Sequence, residues 1–195
     1  MAADTRQRMI EAAADLLQRG GLEAASFSEV IASSGAARGA IYHHFPEGKH
    51  ELTREAVTWT GERIRHSIAA LEGAEPAAVV GAFLDRIRII VREASQGRSC
   101  AVAAVVVEAG QRDDGLTAAA GAALASWVAA LRDRLLDLGV EESSAHRAST
   151  LLVVFLEGTQ VLCRAVGDIA PFDDSRGALE VAIGALLTGT STTSG

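Results

Sequence analysis

The chain has 195 residues, a formal charge of −7 from 18 basic and 25 acidic side chains, 49% apolar residues and 4% aromatics. That length suits one large domain, or a small one joined to a larger one, and leaves ample chain for a hydrophobic core. The acidic balance excludes a protein that coats nucleic acid by bulk attraction, so any DNA contact has to be local.

Much of the apolar content is Ala, the best helix former, and runs of β-branched residues are few, so an all-α fold is expected. Cys100 and Cys163 are too few for a disulfide framework, which points to a reducing compartment. Charges at Asp4, Arg6, Arg8, Glu11 and Asp15 interrupt any export segment, and the apolar run 115–131 is shorter than the roughly 20 residues a bilayer demands. A cytoplasmic protein with no membrane partner is expected.

Residues 4–19 read as a first amphipathic helix, with Met9, Ala13, Leu16 and Leu17 on one face and Gly20-Gly21 as its stop. Ser26-Phe27-Ser28-Glu29 has the spacing of a capping box, so a second, short helix begins there and ends at Gly35. A third is expected over about 37–44, before Pro46 and Gly48 break the chain. Two short helices so close together form a helix-turn-helix. At 100° per residue, Ile41 and Phe45 turn back toward Val30 and Leu16, while Arg38, Gly39, Tyr42 and His43 fan over the other side.

Further helices are predicted over about 49–71, 76–95, 99–109, 114–138, 142–166 and 174–188, nine in all, with a domain boundary near residue 48. The division expected is 1–48 for one domain and 49–190 for a larger one, with a disordered tail at 191–195. The acidic pairs Asp113-Asp114, Glu141-Glu142 and Asp173-Asp174 fall at predicted helix starts, where the dipole favours carboxylates, and read as caps rather than as hydrolase carboxylates.

The stretch GAARGAIYHHFPEGKHEL, residues 35–52, carries the chemistry. His43, His44 and His50 lack the i, i+4 spacing of a helical zinc site, and only Glu47 and Glu51 are at hand to partner a catalytic His, so neither a metal nor an enzyme is expected. A DNA duplex fits better. Arg38 suits the O6 and N7 edge of guanine, Gly39 allows close backbone approach, and Tyr42 offers a hydroxyl to phosphate or a ring to a thymine methyl. Lys49, the one lysine in the chain, opens the next helix, where free N–H groups and the dipole favour a phosphate; Ser28 suits the same role on the second helix. The alternative is a plain helical hairpin with Tyr42 and His44 half buried and Arg38 solvated.

The string GLEAASFSEVIASSGAARGAIYHHFPEGKHEL resembles the N-terminal domain of the tetracycline-repressor (TetR) family of bacterial regulators over about residues 5–56, and SGAARGAIYHHFPEGK is similar to its LmrA branch. The resemblance implies a three-helix DNA-binding domain joined to a variable helical domain that dimerises and usually holds an inducer. It also implies base contacts from Arg38, Gly39 and His43, and phosphate contacts from Ser28, Tyr42, His44 and Lys49. Ala37 stands where the family often has a capping Ser or Thr, and Ala25 and Ala40 replace common Thr positions, so fewer hydroxyls face phosphate.

Residues 1–55 carry six basic against eight acidic groups, so affinity is expected to rest on few phosphate contacts and on dimerisation. Because histidine ordinarily titrates near pH 6.5, operator binding is expected to tighten between pH 8 and 6, which a titration by fluorescence anisotropy checks.

Residues 148–166 are apolar nearly all round, and 177–189 carry Gly177 and Gly184 among Ala178, Ala182 and Ala185. A homodimer through helices at about 142–166 and 174–188, presenting two recognition helices to a pseudo-palindromic operator, is therefore expected. Phe83, Ile87, Val102, Val106, Trp127, Phe155 and Cys163, with Gln160 or Glu108 as polar anchors, are the candidate walls of a pocket for a small hydrophobic effector that releases DNA. The alternative regulator lacks such an effector and answers to a protein partner or to oxidation of Cys100 or Cys163.

Overall fold

The computed structural model describes residues 2–110 and 114–188, so the expected tail at 191–195 lies outside the described residues, as does Asp113. Among the described residues the fold is all-α, with nine helices: α1 Ala2–Ala24, α2 Phe27–Ser34, α3 Ala40–His44, α4 Lys49–Ala69, α5 Pro76–Ser95, α6 Ala101–Ala109, α7 Asp114–Asp137, α8 Glu142–Val166 and α9 Ala170–Leu187.

Three boundaries differ by three residues or more from those the pattern predicts. The break in α1 falls at Gly20-Gly21 as expected, with Gly21 at φ 64, but a further helical turn follows it to Ala24. The third helix starts at Ala40, not near 37. Ala37 has no side-chain oxygen to cap it and Gly39 makes no side-chain cap bond, so the entry is a turn in which the Ala40 amide donates to the Ala37 carbonyl at 2.9 Å. The last helix starts at Ala170, four residues early, because the Asp168 carboxylate accepts the Ala170 amide at 2.8 Å and Pro171 suits a first turn. Asp173 therefore lies inside α9 and pairs side-on with Arg88, both contacts at 3.1 Å, instead of capping. Glu141 caps α8 as expected: it accepts the Ser143 and Ser144 amides, each at 2.9 Å, and the Ser143 hydroxyl. Those bonds hold its carboxyl down at about 2.

The chain divides into two compact units. The first contains α1 to α3, α4 as far as Ile64, α6, and α7 as far as Leu124. Here α1 packs against α2, α3 and α6, and Met9, Ala13, Leu17, Val30, Ile41 and Phe45 are fully buried. Leu16, expected with them, is only half buried; Leu17 holds the central place. Each large apolar side chain so buried contributes about 1.5 to 3 kcal/mol, enough to hold a five-residue helix that could not stand alone.

The second unit contains the rest of α4, α5, the rest of α7, α8 and α9. α5, α8 and α9 pack mutually, around Leu84, Ile87, Leu152, Cys163 and Phe172. Arg176 of α9 ties Asp85 of α5 at 2.7 Å and Glu180 of its own helix at 2.9 Å.

By length and composition alone Gly115–Asp137 and Glu142–Val166 would each reach across a bilayer, longer than the 115–131 run suggested. The complete burial of Trp127, Leu131, Leu135, Ala145, Ala148 and Leu152 suits core helices of a bundle.

Candidate DNA interface

The candidate residues of the helix-turn-helix lie in the first unit. Ser26 accepts the Glu29 amide at 3.3 Å and so starts α2. Gly35 ends it in the left-handed region, φ 65, with its amide on the Ile31 carbonyl at 3.1 Å; only glycine takes that conformation cheaply, and it turns the chain toward α3. Arg8 of α1 donates to the Ser34 carbonyl at 3.3 Å, placing a cation on the negative end of α2.

Arg38 and Gly39, expected on the third helix, lie in the turn before α3 because the helix starts late, and Phe45 follows its end; the side chains of 38–45 nonetheless separate by face. Ile41 and Phe45 are 0% exposed, whereas Tyr42 is 66% exposed and Arg38, Gly39 and His43 are open to solvent. Arg38 has no hydrogen-bond or ion-pair partner among the described residues, so its guanidinium is available in full. The Tyr42 ring stands edge-on to Phe27 of α2 at 5.6 Å, which fixes its plane without covering it. A side-chain carbon added at Gly39 would meet nothing within 4 Å, so the backbone there faces open space. His43 is exposed and His44 half buried, with ring centres 5.2 Å apart. Of the plain-hairpin alternative, His44 half buried and Arg38 solvated agree with the structure, while Tyr42 is more open than half buried.

Two candidates sit differently from a simple phosphate grip. The Lys49 ammonium donates to the carbonyl of Leu22, just past the break in α1. Ser28 is exposed and shares a 3.0 Å hydrogen bond with Ser26. Neighbouring acids are partly engaged: Glu47 pairs with Arg54 at 3.3 Å, and Glu51 accepts the Glu47 amide at 3.0 Å.

The sequence pattern does not reveal Phe27 as the brace of Tyr42, Arg8 as the cap of α2, or Arg6, which lies over the Phe45 ring at 5.1 Å and bonds Glu55 at 2.7 Å. Only the aromatic directly after the Ser26 cap offered a signal. No group of three His, Cys, Asp or Glu suited to a metal converges among the described residues.

The effector candidates fall in both units. Phe83, Ile87, Trp127, Phe155, Gln160 and Cys163 belong to the second; Val102, Val106 and Glu108 belong to the first. Phe83, Ile87, Val102 and Trp127 are buried, and Val106 is half buried. Phe155 packs against Phe172 at 5.7 Å, and the buried Gln160 amide donates weakly to the Leu156 carbonyl at 3.5 Å. Burial pushes the Cys163 thiol up, away from the thiolate. Glu108 is exposed, and its carboxylate accepts the Leu22 amide at 2.7 Å.

Residues 9–56 match the model for bacterial regulatory proteins of the tetR family, and residues 76–177, more than half the chain, match that for the C-terminal domain of LmrA/YxaF-like transcriptional regulators. The chain belongs to the TetR family. An uncharacterized HTH-type transcriptional regulator of Mycobacterium tuberculosis is 34% identical over 173 residues, covering 86% of this chain and 88% of that one. The HTH-type transcriptional regulator LmrA of Bacillus subtilis is 31% identical over 157 residues, covering 80% and 84%. Among solved structures, a TetR-family transcriptional regulator from Agrobacterium tumefaciens superposes with a TM-score of 0.79 at 22% identity, covering 93% of this chain and 98% of that one. This TetR-family protein is thus an HTH-type transcriptional regulator rather than an enzyme, and its LmrA/YxaF-like C-terminal half agrees with the branch its recognition segment resembles.

Proposed function

We propose that this regulator is a homodimeric repressor that binds a pseudo-palindromic operator and leaves it when a small hydrophobic effector binds. The observation that carries the DNA part is the split of α3 and the residues flanking it into a fully buried face, Ile41 and Phe45, and an open one bearing Arg38, Gly39, Tyr42 and His43. On this reading Arg38, Gly39 and His43 meet base edges, while Ser28, Tyr42, His44 and Lys49 meet phosphates. Functionally, residues 1–48 form the DNA-binding domain and 49–190 the effector and dimerisation domain, acting in the cytoplasm where the DNA lies.

The dimer reading is supported by an exposed apolar stripe on α8, made of Val154, Val161, Leu162 and Val166 around Gly158 and Ala165. Beside it α9, packed on α8, exposes Gly177, Ala178, Val181, Ala182 and Ala185. Small residues let a partner's helices approach closely, and burial of such a stripe in a twofold bundle removes large apolar side chains from water. The buried aromatic and aliphatic side chains of the second unit, with few charges among them, favour a neutral effector over a sugar or nucleotide.

The test is selection of duplexes from a random pool by the wild-type chain, followed by sedimentation of the free protein. A dimer, and selected sites with half-sites spaced about 34 to 36 Å or a multiple, are expected. A monomer, or selected sites without twofold symmetry, would refute the reading.

A further inference from the structure

The break in α1 at Gly20-Gly21 is bridged by α6. On the near side of the break, Arg98 donates to the Asp15 carboxylate at 2.7 Å and to the Gln18 side chain at 2.5 Å, and the Ser99 amide and hydroxyl reach the Gln18 carbonyl at 2.7 and 3.1 Å. On the far side, eight residues into α6 by sequence count, Glu108 accepts the Leu22 amide at 2.7 Å. A nine-residue helix spans about 13 Å, so α6 lies along α1 as a splint fastened at both ends.

Glu108 is badly placed for α6 itself. It occupies the last turn, where the helix dipole repels a carboxylate and no basic residue compensates. Its place is explained by Leu22, whose amide opens the turn that follows the break and needs an acceptor from elsewhere. The carboxylate lies so close over Gly21 that a side-chain carbon there would sit 1.7 Å from Oε1, and Gly21 is also left-handed, at φ 64. The carbonyl of the same residue, Leu22, takes the Lys49 ammonium at the first residue of α4. A carboxylate from α6 and an ammonium from α4 thus hold opposite ends of one residue, in the segment that leads directly into α2.

We propose that Glu108 is a positioning residue for DNA binding: it caps the Leu22 turn from α6 and so sets both the entry to the helix-turn-helix and the resting place of Lys49. The proposal rests on the reading of α3 as the DNA face. It removes Glu108 from the set of effector anchors and gives Lys49 a structural partner before any phosphate arrives.

The test measures binding to a duplex selected from a random pool by the wild-type protein, using fluorescence anisotropy at several salt concentrations. Removing a carboxylate from a protein that binds a polyanion should, by charge alone, tighten binding. Loss of the cap predicts the opposite: Glu108→Ala weakens binding about tenfold, and the salt slope becomes shallower to the extent that Lys49 loses its phosphate. Glu108→Gln, which keeps an acceptor oxygen, stays within about threefold of wild type. Binding by Glu108→Ala as tight as wild type or tighter overturns the proposal, as does a Gln variant as weak as the Ala variant.

Circular dichroism at the assay temperature verifies that each variant is folded. Hydrogen exchange in the wild-type protein gives a readout that needs no variant: the exposed Leu22 amide should be protected, and a freely exchanging one refutes the cap. If the wild-type protein selects no duplex, the DNA-face reading falls, while the exchange measurement still decides the splint.

Discussion

Two faces of this regulator lie open to solvent, and their chemistry is opposite. On α3 and the turn before it the exposed groups are Arg38, the Tyr42 hydroxyl and His43, each able to donate a hydrogen bond; on α8 they are Val154, Val161, Leu162 and Val166, which can only be withdrawn from water. Exposure alone is therefore uninformative, since both helices are equally uncovered along these stripes. The polar face suits a charged, hydrogen-bonding partner that arrives and leaves, whereas the apolar one suits a partner that stays.

The comparison breaks most readily at α8. Val161→Asp combined with Val181→Asp places charges on the apolar stripe of α8 and α9, and should convert a dimer to a monomer in sedimentation. Operator affinity should fall with it by about 100-fold or more, because the second recognition helix no longer binds in the same complex. A dimeric double variant would reassign that stripe.

Next in size is the polar face itself. Arg38→Ala with Tyr42→Ala should weaken binding to a selected duplex by about 10- to 100-fold, in line with roughly 1 to 3 kcal/mol for a good bidentate base contact. Thermal melting should barely move, since neither side chain is in the core. Unchanged operator binding would overturn the site.

Gly39→Ala sharpens the same point with a smaller change. The added methyl meets nothing in the free protein and Gly39 has an ordinary negative φ, −75, so stability should hold or rise slightly. Binding should drop about three- to tenfold if DNA backs onto that position.

The smallest effect concerns the cap of α8, the helix that carries the apolar stripe. The Glu141 carboxyl is lowered from its ordinary 4.5 to about 2 by the Ser143 and Ser144 bonds, so the folded state favours the ionised form. Its stabilisation is fully present above pH 4.5 and is lost as pH falls through about 2. Glu141→Gln should melt on the order of 2 °C below wild type at pH 7. That gap should close on acidification toward pH 2.

Some of this was legible from short-range pattern. The Ser26 cap, the Gly35 stop and the Glu141 cap are local chemistry, set by residues within four positions of one another. The burial of Val30, Ile41 and Phe45 followed from helical spacing. The pattern failed where the deciding group is distant in sequence or where a weak start yields to a neighbour: α3 begins late because Ala37 offers no cap, and α9 begins early because Asp168 does. Glu108 is the clearest case. Nothing in the spacing of α6 shows that its carboxylate accepts the amide of Leu22, 86 positions away.

By itself the sequence determined the all-α fold, the helix-turn-helix and the outward turn of Tyr42 and His43 on its third helix, because helical periodicity and capping act within a few residues and need no partner. Tertiary structure alone decided that Phe27 braces Tyr42, that Asp173 pairs with Arg88, and that Leu22 is held by Lys49 and Glu108 at once. Those contacts depend on how separate helices pack, and no spacing along one helix encodes the group that another brings to it.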